Sequence, residues 1–304
     1  MERKSKTYQI EKSPFYKLNS RKKLLDLFYI KNYKTLEILS ADSGNYKVYD
    51  ILNKNKPTKR TIEEPKEILK RIHKQFNNLL QRIDVPDFVK AGRKGSCYVD
   101  NGNAHINGKY FYCTDVEKFF PHAKQEKVLQ FLLYDLKISP DIAQLLSNLL
   151  TYNNHLPTGS PSSQILTYWA YRQTMCKIYE KACELGINMT LFVDDLTFSS
   201  SKPIPEAFKN FVRVRLEKEG LTINKKKSKS YDSNKYKKVT GTVISPNNKL
   251  LVPNRLQHKI YLLKNKEQKS DKEILSLKGM LNSARQIQPK FMDNYYKELM
   301  KINI

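Results

Sequence analysis

Asp115, Asp194 and Asp195 are the residues whose types and spacing point to shared chemistry. The adjacent pair lies in Phe192-Val193-Asp194-Asp195, between β-prone runs at 189 to 193 and 196 to 200 that form a tight hairpin. The third closes the β-prone segment 109 to 114. Each alone is ordinary local chemistry, since Asp tolerates the positive φ of a short turn and Asp115 could cap a helix. Three carboxylates at one sheet edge are different: they repel one another and call for cations. Hard oxygen ligands without His or Cys favour Mg²⁺ over zinc. Two such ions about 3.5 to 4 Å apart clamp the attacking and leaving oxygens of an in-line phosphoryl displacement, which is the chemistry of nucleotidyl transfer.

The elements around these residues must bring Asp115 beside Asp194, although 79 positions separate them. A helix is expected from 65 to 83, with Pro65 in its first turn and Ile68, Leu69, Ile72, Phe76, Leu79, Leu80 and Ile83 recurring at threes and fours. Helical patterns follow at 123 to 137 and 140 to 150. The turn chemistry of 156 to 163 then leads into a helix at 162 to 185 with Ser hydroxyls available as caps. After the hairpin come a helix carrying Phe208, Phe211, Val212 and Leu216, then strands at 221 to 223 and 239 to 244. Strand, helices, strand, strand, helix, strand is the order of a split βαβ, ferredoxin-like unit, whose antiparallel sheet sets the end of the first strand beside the following hairpin. Beyond 253 the chain reads as helices at 253 to 266, 271 to 287 and 290 to 301. The class is α+β.

Charge separates the same regions. The chain of 304 residues has 55 Lys plus Arg against 30 Asp plus Glu, a net +25 that implies binding to polyanions by counterion release. Residues 111 to 200 hold 7 basic and 9 acidic side chains, net −2, whereas 1 to 110 carry net +12 and 201 to 304 net +15. A uniformly basic packaging protein would not leave an acidic centre. No run of about 18 apolar residues and no signal-peptide pattern occurs, so no membrane is expected and the cytoplasm is the default location. Cys97, Cys113, Cys176 and Cys183 include no C-x-x-C pair and make neither a zinc site nor a disulfide framework.

Asp115-Val116-Glu117-Lys118-Phe119-Phe120, Leu156-Pro157-x-Gly159-x-Pro161-Ser162-Ser163, Phe192-Val193-Asp194-Asp195 and Gly220-Leu221-x-Ile223-Asn224-x-Lys226-Lys227 resemble, in order and spacing, the palm motifs of reverse transcriptases. Val239-Thr240-Gly241, and Asn101 with His105, resemble elements of bacterial retron reverse transcriptases. The resemblance runs from about residue 45 to the C-terminus. It departs from the family pattern at Phe192, where Tyr is usual, at Thr158 for Gln, at Gln164 for Pro and at Gly102 for Ala.

The resemblance implies a right-hand polymerase with fingers, a ferredoxin-like palm and a helical thumb: N-terminal helices and fingers at 1–110, palm at 111–245 with finger helices inserted at about 123–185, and thumb at 246–304. It implies two Mg²⁺ ions held by Asp115, Asp194 and Asp195 with the carbonyl of Val116. Phe119 or Phe120 would lie beneath the incoming sugar and select dNTPs, with Gly159 in the same nucleotide site. Lys59 and Arg60 would grip the triphosphate, and Lys226 or Lys227 would protonate pyrophosphate. Asn101, His105, Arg285 and Lys290 would contact RNA, the last two from the thumb. The implied activity is RNA-directed DNA synthesis on a cognate structured noncoding RNA that is both template and primer. It would give a branched RNA-DNA hybrid within an anti-phage defence system whose effector protein is a separate chain, since the length leaves no room for a fused nuclease, maturase or protease. The alternatives are a diversity-generating or group II intron-like reverse transcriptase, and a noncatalytic RNA-binding protein with a polymerase fold.

Overall fold

Local chemistry sets most element boundaries in the computed structural model, which describes residues 7–52, 59–93 and 95–302. Helices α1 (Arg21–Phe28) and α2 (Tyr33–Ala41) begin where the Ser20 and Asn32 side chains accept the N–H groups of Lys23 and Lys34. Strands β1 (Tyr46–Leu52) and β2 (Lys59–Pro65) pair antiparallel and lead into α3 (Glu67–Leu80), whose buried face is Leu69, Ile72, His73, Phe76 and Leu80. Pro65 does not open this helix, as its sequence position suggests. It ends β2 opposite Tyr46, because Pro keeps the residue before it extended and its missing N–H costs nothing at a strand end.

Helix α4 (Tyr98–Asn103) and strand β3 (Tyr110–Asp115) follow, then α5 (Phe119–His122), α6 (Gln125–Gln130) continuing into a π turn at Phe131–Asp135, α7 (Pro140–Leu150) and α8 (Ser163–Glu184). The hairpin is β4 (Asn188–Phe192) and β5 (Asp195–Ser200), followed by α9 (Glu206–Glu217) and β6 (Lys229–Tyr231). The four strands form one antiparallel sheet in the order β4-β5-β3-β6, the split βαβ order expected from the sequence. Two strand expectations fail. Residues 221 to 223 make only a single bridge, Val116 with Ile223, and the Lys225–Lys227 turn then sends the chain back so that Lys229–Tyr231 becomes the fourth strand. The run 239 to 244 splits at Thr240 and Gly241, both at positive φ, into β7 (Lys237–Val239) and β8 (Thr242–Ile244), which pair with β9 (Leu250–Leu251) in a separate sheet.

Apolar burial divides the chain. One large cluster runs from Phe15 to Leu221 and joins the N-terminal helices, α6 to α9 and the four-stranded sheet. A second gathers Ile260, Leu277, Leu281, Ala284, Ile287 and Leu299 from α10 (Asn254–Lys264), α11 (Asp271–Ile287) and α12 (Asp293–Met300), and takes in Val99 of α4. Among the described residues no helix is long and apolar enough to cross a membrane.

Buried polar links tie these parts together. The hydroxyls of Ser160 and Ser162, available as helix caps on sequence grounds, both turn to Nδ1 of His73, while Nε2 of that ring meets the Tyr46 hydroxyl at 3.2 Å. Burial pushes the His73 pKa down to about 4, so the ring is neutral and joins α3, β1 and the loop before α8. At α4 there is no room for a side chain at Gly102: a Cβ there would stand 2.5 Å from Thr242 Oγ1 and 2.9 Å from Leu250 Cδ1. The close approach of α4 to β8 thus accounts for Gly where the family has Ala. Gly102→Ala is expected to lower stability by about 1–3 kcal/mol through overpacking, read as a lower unfolding midpoint in urea; an unchanged midpoint would contradict the close packing.

Candidate active site

The register of the central sheet does what the sequence order requires. Asp115, last in β3, is the cross-strand partner of Asp195, first in β5, and the loop joining β4 to β5 is only Val193 and Asp194. Directly opposed residues in an antiparallel pair stand about 4.5–5.5 Å apart at Cα, so the sheet itself forces two carboxylates together. Backbone bonds lock the corner: the Val116 N–H donates to the Asp194 carbonyl at 2.9 Å, and the Asn224 N–H to the Asp115 carbonyl at 2.9 Å. The positive φ of the turn falls on Val193 (60°), not on an Asp as the sequence suggests. A β-branched residue there is strained, by roughly 1–3 kcal/mol, and is held by the ladder on both sides.

Electrostatics at this corner are unfavourable. Burial, then Asp194 and Asp115, push the Asp195 carboxyl up to about 6. Asp194 is also raised, chiefly by burial and with Asp115 adding, against the lowering pull of Lys227 and Arg60. Lys227 Nζ lies 2.7 Å from Asp115 Oδ2, and its own pKa is raised mainly by that hydrogen bond. The other oxygen, Asp115 Oδ1, is buried with no hydrogen-bond partner. Asp195 Oδ2 receives a long hydrogen bond of 3.5 Å from the Thr240 hydroxyl. With the side chains turned to these partners, no three of the described His, Cys, Asp or Glu side chains converge as a ready-made metal cluster. The donor set nonetheless fits a hard cation: oxygen ligands only, one of them orphaned, and charges that need compensation.

Asp115 and Asp195 open into a cavity of about 490 Å³ whose wall includes Lys226, Lys227, Lys229 and Lys238. Arg60 and Lys59 are exposed at the start of β2, with Lys59 3.9 Å from Asp50. Of the two aromatics after Asp115, Phe119 is buried at 2% exposure against Tyr171, whereas Phe120 is half-buried. Gly159 has a packing role: a Cβ there would lie 2.8 Å from the Glu63 carbonyl oxygen.

Four sequence expectations end elsewhere. Asn101 and His105 are 0% and 1% exposed, so neither presents a surface to RNA. Asn101 Nδ2 donates to Thr240 Oγ1 at 2.9 Å, and His105 lies 2.7 Å from both Ser199 and Thr190, its pKa pushed down to about 3 by burial. Arg285 is engaged inside the C-terminal bundle by Asp293 at 2.8 Å and by the ring of Tyr296, while Lys290 is exposed. Cys183, whose spacing of seven from Cys176 on a helical pattern favours a packing role, is exposed. Sequence reasoning missed Glu63 and His155, an ion pair at 3.0 Å beside Gly159, for which no motif gave a signal.

Residues 51–244 match the family model described as reverse transcriptase (RNA-dependent DNA polymerase). Among curated proteins, the chain is 27% identical over 212 residues to the retron Se72 reverse transcriptase of Salmonella heidelberg (strain 579083-10), covering 67% of this chain and 56% of that one. It is 32% identical over 215 residues to the retron Ec86 reverse transcriptase of Escherichia coli, covering 69% and 66%. Both matches thus span less than two thirds of the relative's length. Among solved structures, apo telomerase from Candida tropicalis, truncated from its C-terminal domain, superposes with a TM-score of 0.50 at 12% identity over 69% of this chain and 55% of that one, a likeness of fold.

The raised Asp195 pKa has a stability consequence. Its folded value of about 6 lies above the ordinary 3.8, so the unfavourable burial and repulsion are expressed at pH 7, shrink as the pH falls through about 6, and vanish about a unit below 3.8, where folded and unfolded carboxyls are both protonated. Asp195→Asn without divalent cations should therefore be more stable than the native protein at pH 7, by about 3 kcal/mol at most, with most of the gap closed by pH 4. Thermal unfolding at both pH values checks this; a less stable variant at pH 7 would contradict it.

Proposed function

The chain belongs to the reverse transcriptase family and has the right-hand polymerase fold, and on that premise we propose that it is the RNA-directed DNA polymerase of a retron. The observation that carries the proposal is the Asp115–Asp195 cross-strand pair, with Asp194 in the adjoining turn, at the mouth of a lysine-walled cavity and within reach of the Arg60 charge. Two of the relatives that the chain matches are retron reverse transcriptases, which supports that subtype over diversity-generating or group II intron enzymes.

In this proposal the fingers are 1–110, the palm 111–245 and the thumb 246–304. Family chemistry uses divalent cations. We assign two Mg²⁺ to Asp115, Asp194, Asp195 and the Val116 carbonyl, where they would neutralise the carboxylates and lower the pKa of the attacking hydroxyl. Arg60 and Lys59 bind the triphosphate. Phe120 packs beneath the incoming sugar and excludes a 2′-hydroxyl, while Phe119, buried in the core, supports it from below. Lys227 holds Asp115 until cation and nucleotide arrive, and then it or Lys226 donates a proton to the pyrophosphate oxygen. The cognate partner is a structured noncoding RNA that serves as template and primer, the product a branched RNA-DNA hybrid, and the setting an anti-phage system with a separate effector.

A noncatalytic RNA-binding protein would have no use for a strained turn that presses carboxylates together. Primer extension on an RNA template with dNTPs and Mg²⁺ separates the two: the native protein should extend, and Asp194→Asn with Asp195→Asn should lose activity by at least about 10³-fold. Extension surviving in the double variant would refute the assignment of these carboxylates. Nucleic acid purified with the protein should be sensitive to both RNase and DNase; RNA alone would count against the retron subtype. Phe120→Val should admit ribonucleotides, scored by rNTP incorporation, whereas Phe119→Val should chiefly lower the unfolding midpoint, by about 1–2 kcal/mol. Equal rNTP discrimination in native protein and Phe120→Val would reassign the sugar contact.

A further inference from the structure

Strand β2 carries Lys59 and Arg60 at one end and Glu63 three positions on. The Glu63 carboxylate is buried and fully used: His155 Nε2 lies 3.0 and 3.1 Å from its two oxygens, and the Thr158 N–H donates to Oε2 at 3.2 Å. The backbone of β2 is bound to the same loop. The Glu63 N–H donates to Thr158 Oγ1 at 3.1 Å, the Gly159 N–H to the Glu63 carbonyl at 3.1 Å, and the Thr158 hydroxyl to the Thr61 carbonyl at 2.9 Å. His155 is fixed in turn by paired backbone bonds with Tyr152 and by the Asn153 carbonyl at 3.0 Å from Nδ1. Both ring nitrogens thus face acceptors, which only the doubly protonated imidazolium satisfies. The His155 pKa is accordingly raised, the Glu63 hydrogen bond being the largest cause.

We infer that Glu63, His155 and Thr158 are positioning residues that hold strand β2 at the angle from which Arg60 and Lys59 reach the triphosphate beside Asp194. The inference rests on the polymerase proposal above. None of the three lines the cavity at Asp115, so they act through the strand. Three strand residues span about 10 Å, so a tilt of about 10° at Glu63 would carry Arg60 through about 2 Å. Misplacement of about 1 Å at a reacting group costs about 10²-fold in rate. Thr158, which stands where the family has Gln, serves here as the two-way link between loop and strand.

The test is single-nucleotide addition on a fixed primer–template, with KM for dNTP and the dissociation constant for primer–template measured separately. Glu63→Gln, His155→Gln and Thr158→Val should each raise KM for dNTP by about 10-fold while leaving primer–template affinity within about twofold; Thr158→Ser, which keeps the hydroxyl, should behave as native. In an Arg60→Ala background, Glu63→Gln should add less than about twofold, because the residue it positions is gone. Additive effects in that cycle, an unchanged KM, or parallel loss of primer–template affinity would overturn the positioning role. Should Glu63→Gln fail to fold, His155→Gln and Thr158→Val, each also made with Arg60→Ala, read the same clamp from its other side. Native protein that does not extend at all would overturn the polymerase proposal, and the clamp with it; native extension with unmoved KM values would overturn the clamp alone.

Discussion

Everything at this site follows from the repulsion between carboxylates that the backbone will not let apart. The β3–β5 register fixes Asp115 opposite Asp195, and a two-residue loop fixes Asp194 beside them. Two unit charges about 5 Å apart repel by about 3 kcal/mol at an effective dielectric constant near 20. Side-chain rotation relieves part of this, as the turn of Asp115 toward Lys227 and of Asp195 toward Thr240 indicates. The rest persists in the raised pKa values of Asp194 and Asp195. A corner of this kind is poorly satisfied without cations, which suits it to the proposed metal site. A fold that relaxed it would lose the drive to bind them.

The surrounding fold supplies the rigidity that such a corner demands. Leu196 and Phe198 of β5, both fully buried, anchor the hairpin in the large apolar cluster, while Val193 carries the conformational strain at the tip. Strand β2 belongs to a two-stranded ribbon, a unit of marginal stability by itself. Its orientation therefore cannot come from the ladder with β1 alone. The buried His73 hub and the Glu63–His155 pair provide the missing constraints from α3 and from the loop before α8. The same loop thus orders both strand β2 and the start of the long helix α8.

The parts legible in the sequence are those governed by short-range periodicity. The β-prone runs at 189 to 193 and 196 to 200 reveal the hairpin, and threes and fours reveal α3, α9 and the C-terminal helices, so the order of the first three strands and the proximity of the three Asp residues could be derived, whereas the fourth strand lies at Lys229–Tyr231 and not at 221 to 223. What could not be derived depends on contacts between distant segments. Asn101 and His105 are typical surface residues by type, and only partners 85 to 139 positions away make them interior ones. Glu63 and Glu64 are adjacent and chemically alike; strand alternation sends one inward to His155 and the other outward to Lys70. Which is which depends on where the 152 to 160 loop lies, and the local sequence holds no record of that. Arg285 shows the same limit in the C-terminal bundle, where Asp293, eight positions on, claims a guanidinium that composition alone would offer to phosphate.

The net charge of +25 takes on a different meaning once these partners are known. Many of the basic side chains are engaged locally: Arg285 with Asp293, Lys266 with Glu273, Arg213 with Glu217, Lys127 with Glu219. Such exposed or half-exposed pairs add little stability each, but they remove those groups from the pool that can meet a polyanion. The lysines at 226, 227, 229 and 238 are different, because the wall they form faces the cavity that also holds Asp115 and Asp195. Opposite charges within one cavity are not neutralised by distance, and among these lysines only Lys227 reaches Asp115. The field therefore changes sign over a few ångströms, from an acidic corner that attracts cations to a basic wall that attracts phosphates. In the proposed function the ligand, a nucleotide polyphosphate with its counter-cations, would carry that same alternation of charge, so that local arrangement, rather than the total of +25, would select it.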